Sequence, residues 1–233
     1  MHVAIIPDGL RRWARLHGIS YEESYNLMCE KLVNYAEQAF DFGASAVTLY
    51  LSSTINFTRT YEDIEAGCMA EHMMCSSLLP PLAATYNARV IVAGNEQLLP
   101  KYLMESALSL SKGTACNSER TLYLCMAYNP IEEVRHAIKI FMEKGNHNIE
   151  QQNIMDLLWV PETVDILIRT GKGQLATNLL PLQCAGHAKH YVFDELFLDT
   201  SSEDIRKVLV RHSETLINAI QSVDDLNMKQ NRK

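Results

Sequence analysis

The first residues of the chain combine a carboxylate, a glycine and two arginines in an order that suits a metal–diphosphate. Asp8 and Gly9 follow a short apolar run, and Arg11 and Arg12 come where a helix is predicted to begin. Mg²⁺ usually takes one or two carboxylates together with phosphate oxygens. Glycine N–H groups, a helix N-terminus and arginines all favour a bound phosphate. An aspartate that caps a helix beside solvated arginines would give the same pattern, so the residue types leave both interpretations open.

A mainly parallel β-sheet is predicted to position these residues. Short β-branched or aliphatic runs alternate with longer stretches of helical period, which is typical of an α/β fold with a six-stranded sheet covered by helices. The predicted strands are 3–6, 46–51, 88–92, 121–126, 164–168 and 191–197, and the predicted helices are 21–42, 61–86, 96–110, 130–144, 174–187 and 202–222. Ligands of such sheets bind beyond the carboxyl ends of the strands. The candidate site therefore comprises the loops 7–13, 52–59, 127–130 and 169–178.

Length, composition and charge restrict the classes of protein to consider. The 233 residues are 47% hydrophobic and contain no Pro/Gly/Ser-rich linker, which predicts a single domain over 1–223 followed by a polar C-terminal tail over 224–233. The net charge of −7 argues against a nucleic-acid partner, because phosphate backbones require a basic face. No integral membrane segment is expected, since the most apolar stretch, 78–94, is interrupted by prolines and polar residues.

The six cysteines are scattered and show no close metal-ligand pairing. Most lie among apolar neighbours, which indicates reduced core thiols rather than a secreted disulfide framework. The apolar run at the start is too short for a signal peptide, and charged residues follow it at once. We therefore expect a cytoplasmic protein.

Three blocks of the sequence resemble the cis-prenyltransferases, the undecaprenyl diphosphate synthase family. Residues 2–14 read HVAIIPDGLRRWA, similar to the family's H-[VI]-A-[IL]-I-M-D-G-N-G-R-W-A. Residues 52–59 read SSTINFTR, where the family has F-S-[ST]-E-N-W-x-R-P. Residues 165–171 read DILIRTG, similar to D-[LI]-[LV]-I-R-T-[GS]-G. The blocks come in the family's order and at its spacing, so the resemblance covers most of the chain.

The resemblance implies a fold with a hydrophobic tunnel and a Mg²⁺-dependent reaction of a prenyl diphosphate. Asp8 would bind Mg²⁺ and help the diphosphate to leave, with Asn56 and Arg59 as the other catalytic residues. Arg169 would belong to a second site, which in the family holds isopentenyl diphosphate. The remaining diphosphate-binding residues would be Gly9, Leu10, Arg11, Arg12 and Thr177. The substrate pocket would include Tyr25, Ile55, Phe57 and Met73. Met73 lies in a helical run of methionines that fits a packed core helix as well as a wall of the tunnel.

Several departures from the family resemble its lavandulyl and cyclolavandulyl diphosphate synthase branch. Sequences of that branch begin with P-D-G-M-R-R-W, and residues 7–13 here read PDGLRRW, with Leu10 and Arg11 in place of the family's N-G. Tyr25 replaces a usual histidine, and Ile55 replaces the glutamate of the S-[ST]-E-N-W block. Enzymes of that branch join short prenyl diphosphates by irregular, head-to-middle linkage.

The second diphosphate site departs further. Leu175 stands where the family has an arginine and Thr177 where it has a serine, while Lys189, or alternatively Ala188, aligns with a late metal-binding glutamate. Each lost charged hydrogen bond would cost about 2–3 kcal/mol of binding energy. Three readings remain open.

In the first reading, the enzyme couples two short prenyl diphosphates of C5–C15. In the second, it rearranges or cyclises a single one as a terpene synthase. In the third, the chain is a non-catalytic partner subunit of a cis-prenyltransferase. The resemblance also implies a homodimer that pairs through about residues 174–197.

Overall fold

One parallel sheet organises the protein, as predicted. The computed structural model describes residues 1–144, 154–172, 179–186 and 188–214. Within these ranges six strands form a single sheet in the order β3-β4-β2-β1-β5-β6, and every pairing is parallel. The strands are β1 (His2–Ile6), β2 (Ala46–Tyr50), β3 (Ala88–Ala93), β4 (Arg120–Cys125), β5 (Ile166–Arg169) and β6 (Lys189–Val192).

Helices connect consecutive strands, as parallel pairing requires. They are α1 (Leu10–His17), α2 (Tyr21–Asp41), α3 (Tyr61–Met73), α4 (Leu79–Thr85), α5 (Lys101–Gly113), α6 (Pro130–Glu143) and α7 (Pro181–Cys184). Short 3₁₀ turns occupy Thr54–Thr58, Glu96–Leu98, Ile154–Leu157 and Phe197–Asp199. The sheet and these elements belong to one compact unit, Met1–Thr200. A second unit, Ser201–Lys233, contains a helix over 202–214, here α8; the predicted tail at 224–233 lies outside the described residues.

The central strands form because nearly continuous apolar runs can be buried on both faces of a parallel sheet. All five residues of β1 are buried, and β2 is buried up to its last residue. The polar exception, His2, is buried against two partners: Nε2 lies 2.7 Å from Thr48 Oγ1, and Nδ1 lies 3.1 Å from the Thr163 carbonyl. Burial lowers the pKa of His2 below its usual 6.5, which suits a structural, neutral imidazole.

The structure corrects four predicted elements. The helix expected over 61–86 is divided by a π-helical segment, Met74–Leu78, into α3 and α4. The helix expected from residue 96 begins at Lys101, because Pro100 favours the first turn of a helix over its interior. Of the described part of 174–187, only α7 is helical, and the last strand begins two residues earlier than expected, at Lys189. In the part of the chain that the structure describes, no helix is long and apolar enough to cross a membrane.

Candidate active site

Asp8 lies at the carboxyl end of β1, where hydrogen bonds from two other segments hold its backbone. Its N–H lies 3.1 Å from Thr170 Oγ1, and its carbonyl accepts from the same hydroxyl, also at 3.1 Å. The backbone N–H of Phe197 donates to that carbonyl at 3.1 Å. Thr170 follows β5 directly, so the neighbouring strands β1 and β5 together determine where the Asp8 side chain projects.

The carboxylate of Asp8 is flanked by two guanidinium groups. Arg169 Nη2 lies 3.1 Å from Oδ2, and Arg12 Nη2 lies 3.6 Å from Oδ1. Arg12 also donates to the carbonyl of Gly171 at 2.6 Å, which orients its guanidinium toward the end of β5. The Asp8 side chain remains 37% exposed and lines a cavity, so a ligand can reach it. Two arginines around one accessible carboxylate can bind a metal–diphosphate between them.

Two glycines allow this close approach of backbone and side chains. Gly9 has a φ of 103°, and a Cβ at that position would lie 2.7 Å from Leu196 Cδ2. Gly171 has a φ of 81°, and its Cβ would lie 2.8 Å from Arg12 Nη2 and 2.9 Å from the Asp8 carbonyl. Both conformations lie in the left-handed region that favours glycine. Any side chain at Gly171 would therefore disturb both Asp8 and Arg12.

A second charged cluster centres on Asp63, which the sequence analysis did not identify. Its Oδ2 lies 3.3 Å from Arg11 Nη1 and 3.5 Å from Arg59 Nη1, and its Oδ1 accepts from the Tyr25 hydroxyl at 2.6 Å. Arg59 also donates to that hydroxyl at 3.1 Å. Burial, followed by the hydrogen bond to Asp63, raises the pKa of Tyr25 well above 10. The one available signal was local: Thr60 caps α3 and accepts from the N–H of Asp63 three residues later.

Asn56 and Phe57 belong to the 3₁₀ turn Thr54–Thr58 beyond β2. The Asn56 Oδ1 accepts from the backbone N–H of Ser53 at 2.6 Å and from its hydroxyl at 2.9 Å, so the amide is held in one orientation. Both residues line the same cavity as Asp8. The loop after β2 therefore contributes to the same site as the loop after β1, as expected for the carboxyl edge of a parallel sheet.

The cavity brings most of the predicted site residues together. Its volume is about 520 Å³, and its walls come from α1, α2, α3 and the loops after β1, β2 and β5. The predicted residues that line it are Asp8, Gly9, Leu10, Arg11, Arg12, Tyr25, Asn56, Phe57, Arg59 and Arg169. Five arginines line it, because Arg15 joins the four predicted ones, against the two paired aspartates Asp8 and Asp63. The protein as a whole carries −7, so this concentration of cations marks a site for an anion.

Two residues predicted for the pocket lie elsewhere, and two residues of the second diphosphate site lie outside the described part of the chain. Ile55 is 63% exposed, because successive residues of its 3₁₀ turn point in different directions. Met73 does not line the cavity: α3 presents Asp63, Gly67 and Glu71 to it, and a residue two positions after Glu71 lies on the opposite side of the helix. Thr177 and Leu175 fall outside the described residues.

Lys189 lies far from Asp8. It begins β6 in register with Ile166, whereas Arg169, at the carboxyl end of β5, pairs with Val192. Because Ile166 pairs in turn with Val3 of β1, the exposed Lys189 lies toward the amino edge of the sheet, opposite the edge that carries Asp8. Among the described residues no group of three or more His, Cys, Asp or Glu side chains could hold a metal ion. A metal at Asp8 would therefore depend on oxygens of the substrate.

Glu71 is the third acid in the cavity wall, and it differs from Asp8 and Asp63 in lacking an arginine. It is 3% exposed, receives a hydrogen bond from the Ser52 hydroxyl, and its Oε2 has no hydrogen-bond partner among the described residues. Burial raises the pKa of Glu71 from the usual 4.5 to about 8. A buried carboxyl whose pKa is raised so far that it is largely uncharged at pH 7 is unusual outside functional sites.

We expect Glu71→Gln to stabilise the protein in alkaline buffer. Because folding raises the pKa of Glu71, its contribution to the unfolding free energy is fully present below pH 4.5 and is lost as the pH rises toward 8. Glutamine does not ionise, so the variant does not lose this unfolding free energy as the pH rises. Denaturant unfolding from pH 5 to 9 should give a variant-minus-native difference that grows to on the order of 3 kcal/mol. Glu62→Gln, at an exposed position of the same helix, should give a flat difference. A flat difference for Glu71→Gln would show that the carboxylate is already compensated.

The comparisons with known proteins identify the family of the chain. The family model for undecaprenyl diphosphate synthases matches residues 6–216. An isoprenyl transferase of Chlamydia caviae is 30% identical over 211 residues, covering 85% of this chain and 83% of the relative. A geranylgeranyl-diphosphate-specific tritrans,polycis-undecaprenyl-diphosphate synthase of Archaeoglobus fulgidus is 29% identical, covering 82% of this chain and 80% of the relative.

Solved structures show the same fold. A lavandulyl diphosphate synthase from Lavandula x intermedia, crystallised with dimethylallyl diphosphate, superposes with a TM-score of 0.81 at 22% identity, covering 91% of this chain and 94% of the other. At that identity the likeness concerns the fold alone. The family model spans most of the chain, including Asp8, Arg59 and Arg169. The chain therefore belongs to the undecaprenyl diphosphate synthase family of cis-prenyltransferases.

Proposed function

We propose that this protein ionises a short allylic prenyl diphosphate at Asp8 and joins it to a second short prenyl diphosphate by irregular, lavandulyl-type coupling. The observation that carries the proposal is the arginine-rich cavity around the accessible Asp8 carboxylate, in a chain of this family. Cyclisation of the coupled product is compatible with the same site. The substrates would be of C5–C15 length.

The residues around Asp8 fit a magnesium ion carried by the substrate. Asp8 supplies one accessible carboxylate, and Mg²⁺ commonly binds one carboxylate together with phosphate oxygens. When bound, the ion would neutralise charge on the departing diphosphate. Arg12 and Arg169, which hold Asp8 in the described structure, would be available to the phosphate oxygens on either side. Gly9 lets the backbone at the start of α1 approach the same oxygens.

Charge neutralisation and orientation account for the reaction in this proposal. The bond between the allylic carbon and the diphosphate oxygen breaks, and both electrons leave with the diphosphate. Arginines positioned before the reaction stabilise that developing charge without reorganisation. Arg11 and Arg59 are held by Asp63, and Arg59 also by Tyr25, so their guanidinium groups keep a defined place in the cavity. The second prenyl diphosphate then attacks the allylic cation through its double bond.

A single-substrate cyclase is the alternative. It is favoured by the position of Lys189, which lies toward the amino edge of the sheet and cannot replace a lost contact at Asp8 within one chain. A non-catalytic partner subunit is disfavoured by the intact arrangement of Asp8, Arg12 and Arg169.

Incubation with Mg²⁺ and dimethylallyl, geranyl or farnesyl diphosphate, singly and in pairs, distinguishes these three functions. A product heavier than either substrate shows coupling, one of unchanged skeleton mass shows cyclisation, and no turnover shows a partner subunit.

Asp8→Asn should lower turnover by at least about 10²-fold, the scale expected when one electrostatic stabiliser is lost. Asparagine keeps the shape of the side chain but removes the charge that would hold Mg²⁺. Diphosphate release measured by a coupled assay gives the rate, and EDTA should abolish it in the native enzyme. Asp41→Asn changes an exposed aspartate at the end of α2 and should retain native turnover. Native turnover in Asp8→Asn would remove Asp8 from the mechanism.

Arg169→Ala should distinguish an enzyme that couples two prenyl diphosphates from one that cyclises a single prenyl diphosphate. If Arg169 anchors a second diphosphate, loss of its charged hydrogen bonds, about 2–3 kcal/mol, should raise KM for one of two substrates on the order of 10²-fold. Arg169→Lys keeps the positive charge and should recover part of that affinity. Steady-state kinetics with each substrate varied in turn gives both constants. Equal increases in both KM values would contradict a dedicated second site.

A homodimer is part of the same proposal. The segment through which the family's members pair corresponds to about 174–197, and the described part of it includes the exposed apolar side chains of Leu182 and Val192. Light scattering at micromolar concentration should give twice the chain mass of 26.4 kDa. A monomer under these conditions would contradict the dimer without affecting the assignment of the active site.

A further inference from the structure

Glu71 lines the cavity but, unlike Asp8 and Asp63, forms no ion pair with an arginine among the described residues. Asp63, Gly67 and Glu71 recur every four residues along α3 and so share one face, which lines the cavity. Eight residues of helix separate Asp63 from Glu71, a rise of about 12 Å. The acid therefore lies well beyond the arginine cluster around Asp63, where the hydrocarbon part of a bound prenyl diphosphate would extend.

The groups that face Glu71 leave one oxygen of its buried carboxyl without a hydrogen-bond partner. Cys29 on α2, Cys68 on α3 and Cys75 in the π-helical segment interact with it, and burial raises the pKa of all three thiols. The thiols are therefore neutral in physiological buffer. Ser52, beyond β2, donates one hydrogen bond, and its own oxygen accepts from the backbone N–H of Ala127 at 3.0 Å. The described residues thus present Glu71 with one donor and no cation, and Oε2 stays unpaired.

Other polar groups of the wall are already engaged. The Tyr25 hydroxyl donates to Asp63 and accepts from Arg59. Asn56 Oδ1 accepts twice from Ser53. Asp8 and Asp63 are each paired with two arginines, so both carboxylates are already engaged with cations. Among the acids that line this cavity, Glu71 alone combines an unpaired oxygen with a place away from the arginines.

We propose that Glu71 is the base that ends the reaction by taking a proton from the prenyl carbocation. This inference rests on the proposed function, since it requires a cation formed by loss of diphosphate. In the step, a C–H bond next to the cationic carbon breaks and its electron pair becomes the new carbon–carbon double bond. The proton goes to Oε2, which converts the carboxylate to a carboxylic acid. Glu71 would thereby favour an alkene over an alcohol formed by water.

The pH dependence of the proposed step follows from the environment of Glu71. Its pKa is raised to about 8, so the fraction of carboxylate, and with it the capacity to accept a proton, increases as the pH rises through that value. The alkene formed per diphosphate released by the native enzyme should therefore increase between pH 6.5 and 9. Capture of the cation by neutral water has no such dependence.

The test measures two quantities in the same reaction with Mg²⁺ and dimethylallyl or geranyl diphosphate, singly and together: diphosphate released and alkene formed. Glu71→Gln should keep diphosphate release close to native, while alkene per diphosphate falls on the order of 10²-fold, the usual contribution of a general base. Its remaining alkene yield should not change with pH. Glu71→Asp keeps a carboxyl and should restore part of both the yield and the pH dependence. Glu62→Gln is the matched control and should behave as the native protein.

The outcomes separate this inference from the function on which it rests. No diphosphate release by the native enzyme from any of these substrates would overturn the proposed function and the role of Glu71 with it. Native release together with an unchanged alkene yield in Glu71→Gln would overturn the role of Glu71 alone and identify the departing diphosphate or solvent as the base. The pH profile of the native enzyme tests the same point without any substitution: a flat alkene yield would contradict the proposal.

Discussion

The charge compensation of Asp8 is the interaction on which the rest of the site depends. A carboxylate at the end of a buried strand is costly unless cations or hydrogen bonds compensate it. Arg169 from the end of β5 and Arg12 from α1 provide that compensation at 3.1 and 3.6 Å. The same arginines are the groups that can bind a diphosphate. In the function proposed above, compensation of Asp8 in the absence of substrate and binding of the substrate would therefore use the same residues.

This arrangement constrains the backbone on both sides. Arg12 can reach the carbonyl of Gly171 because Gly171 carries no side chain, and Gly9 lacks a Cβ that would collide with Leu196. The hydroxyl of Thr170 exchanges hydrogen bonds with the backbone of Asp8, which links the two strand ends directly. A substitution in either loop would displace the charged groups of the other. The two motifs are far apart in the chain, yet they form one structural unit.

The lining of the cavity changes along α3 from charged to largely uncharged side chains. At one end, Asp63 holds Arg11, Arg59 and Tyr25 in a network of charged hydrogen bonds. Two helical turns farther along, Glu71 lies in an apolar wall with neutral thiols for neighbours. A buried carboxyl without a cation lowers stability in neutral and alkaline buffer. Such a cost is commonly found where a group serves a ligand rather than the fold.

The sequence by itself determined the fold class, the family and most of the residues that line the cavity around Asp8. Apolar runs of strand length alternate with helical stretches, and motifs around Asp8, Arg59 and Arg169 carry their chemistry in consecutive residues, so both could be read along the chain. Only the tertiary structure decided which groups meet. Asp63 and Glu71 stand in a helical segment with no motif around them, and Ile55 and Met73 resemble wall residues until their orientation is known. The physical reason is that charge pairing and burial depend on contacts between distant segments, which local sequence does not specify.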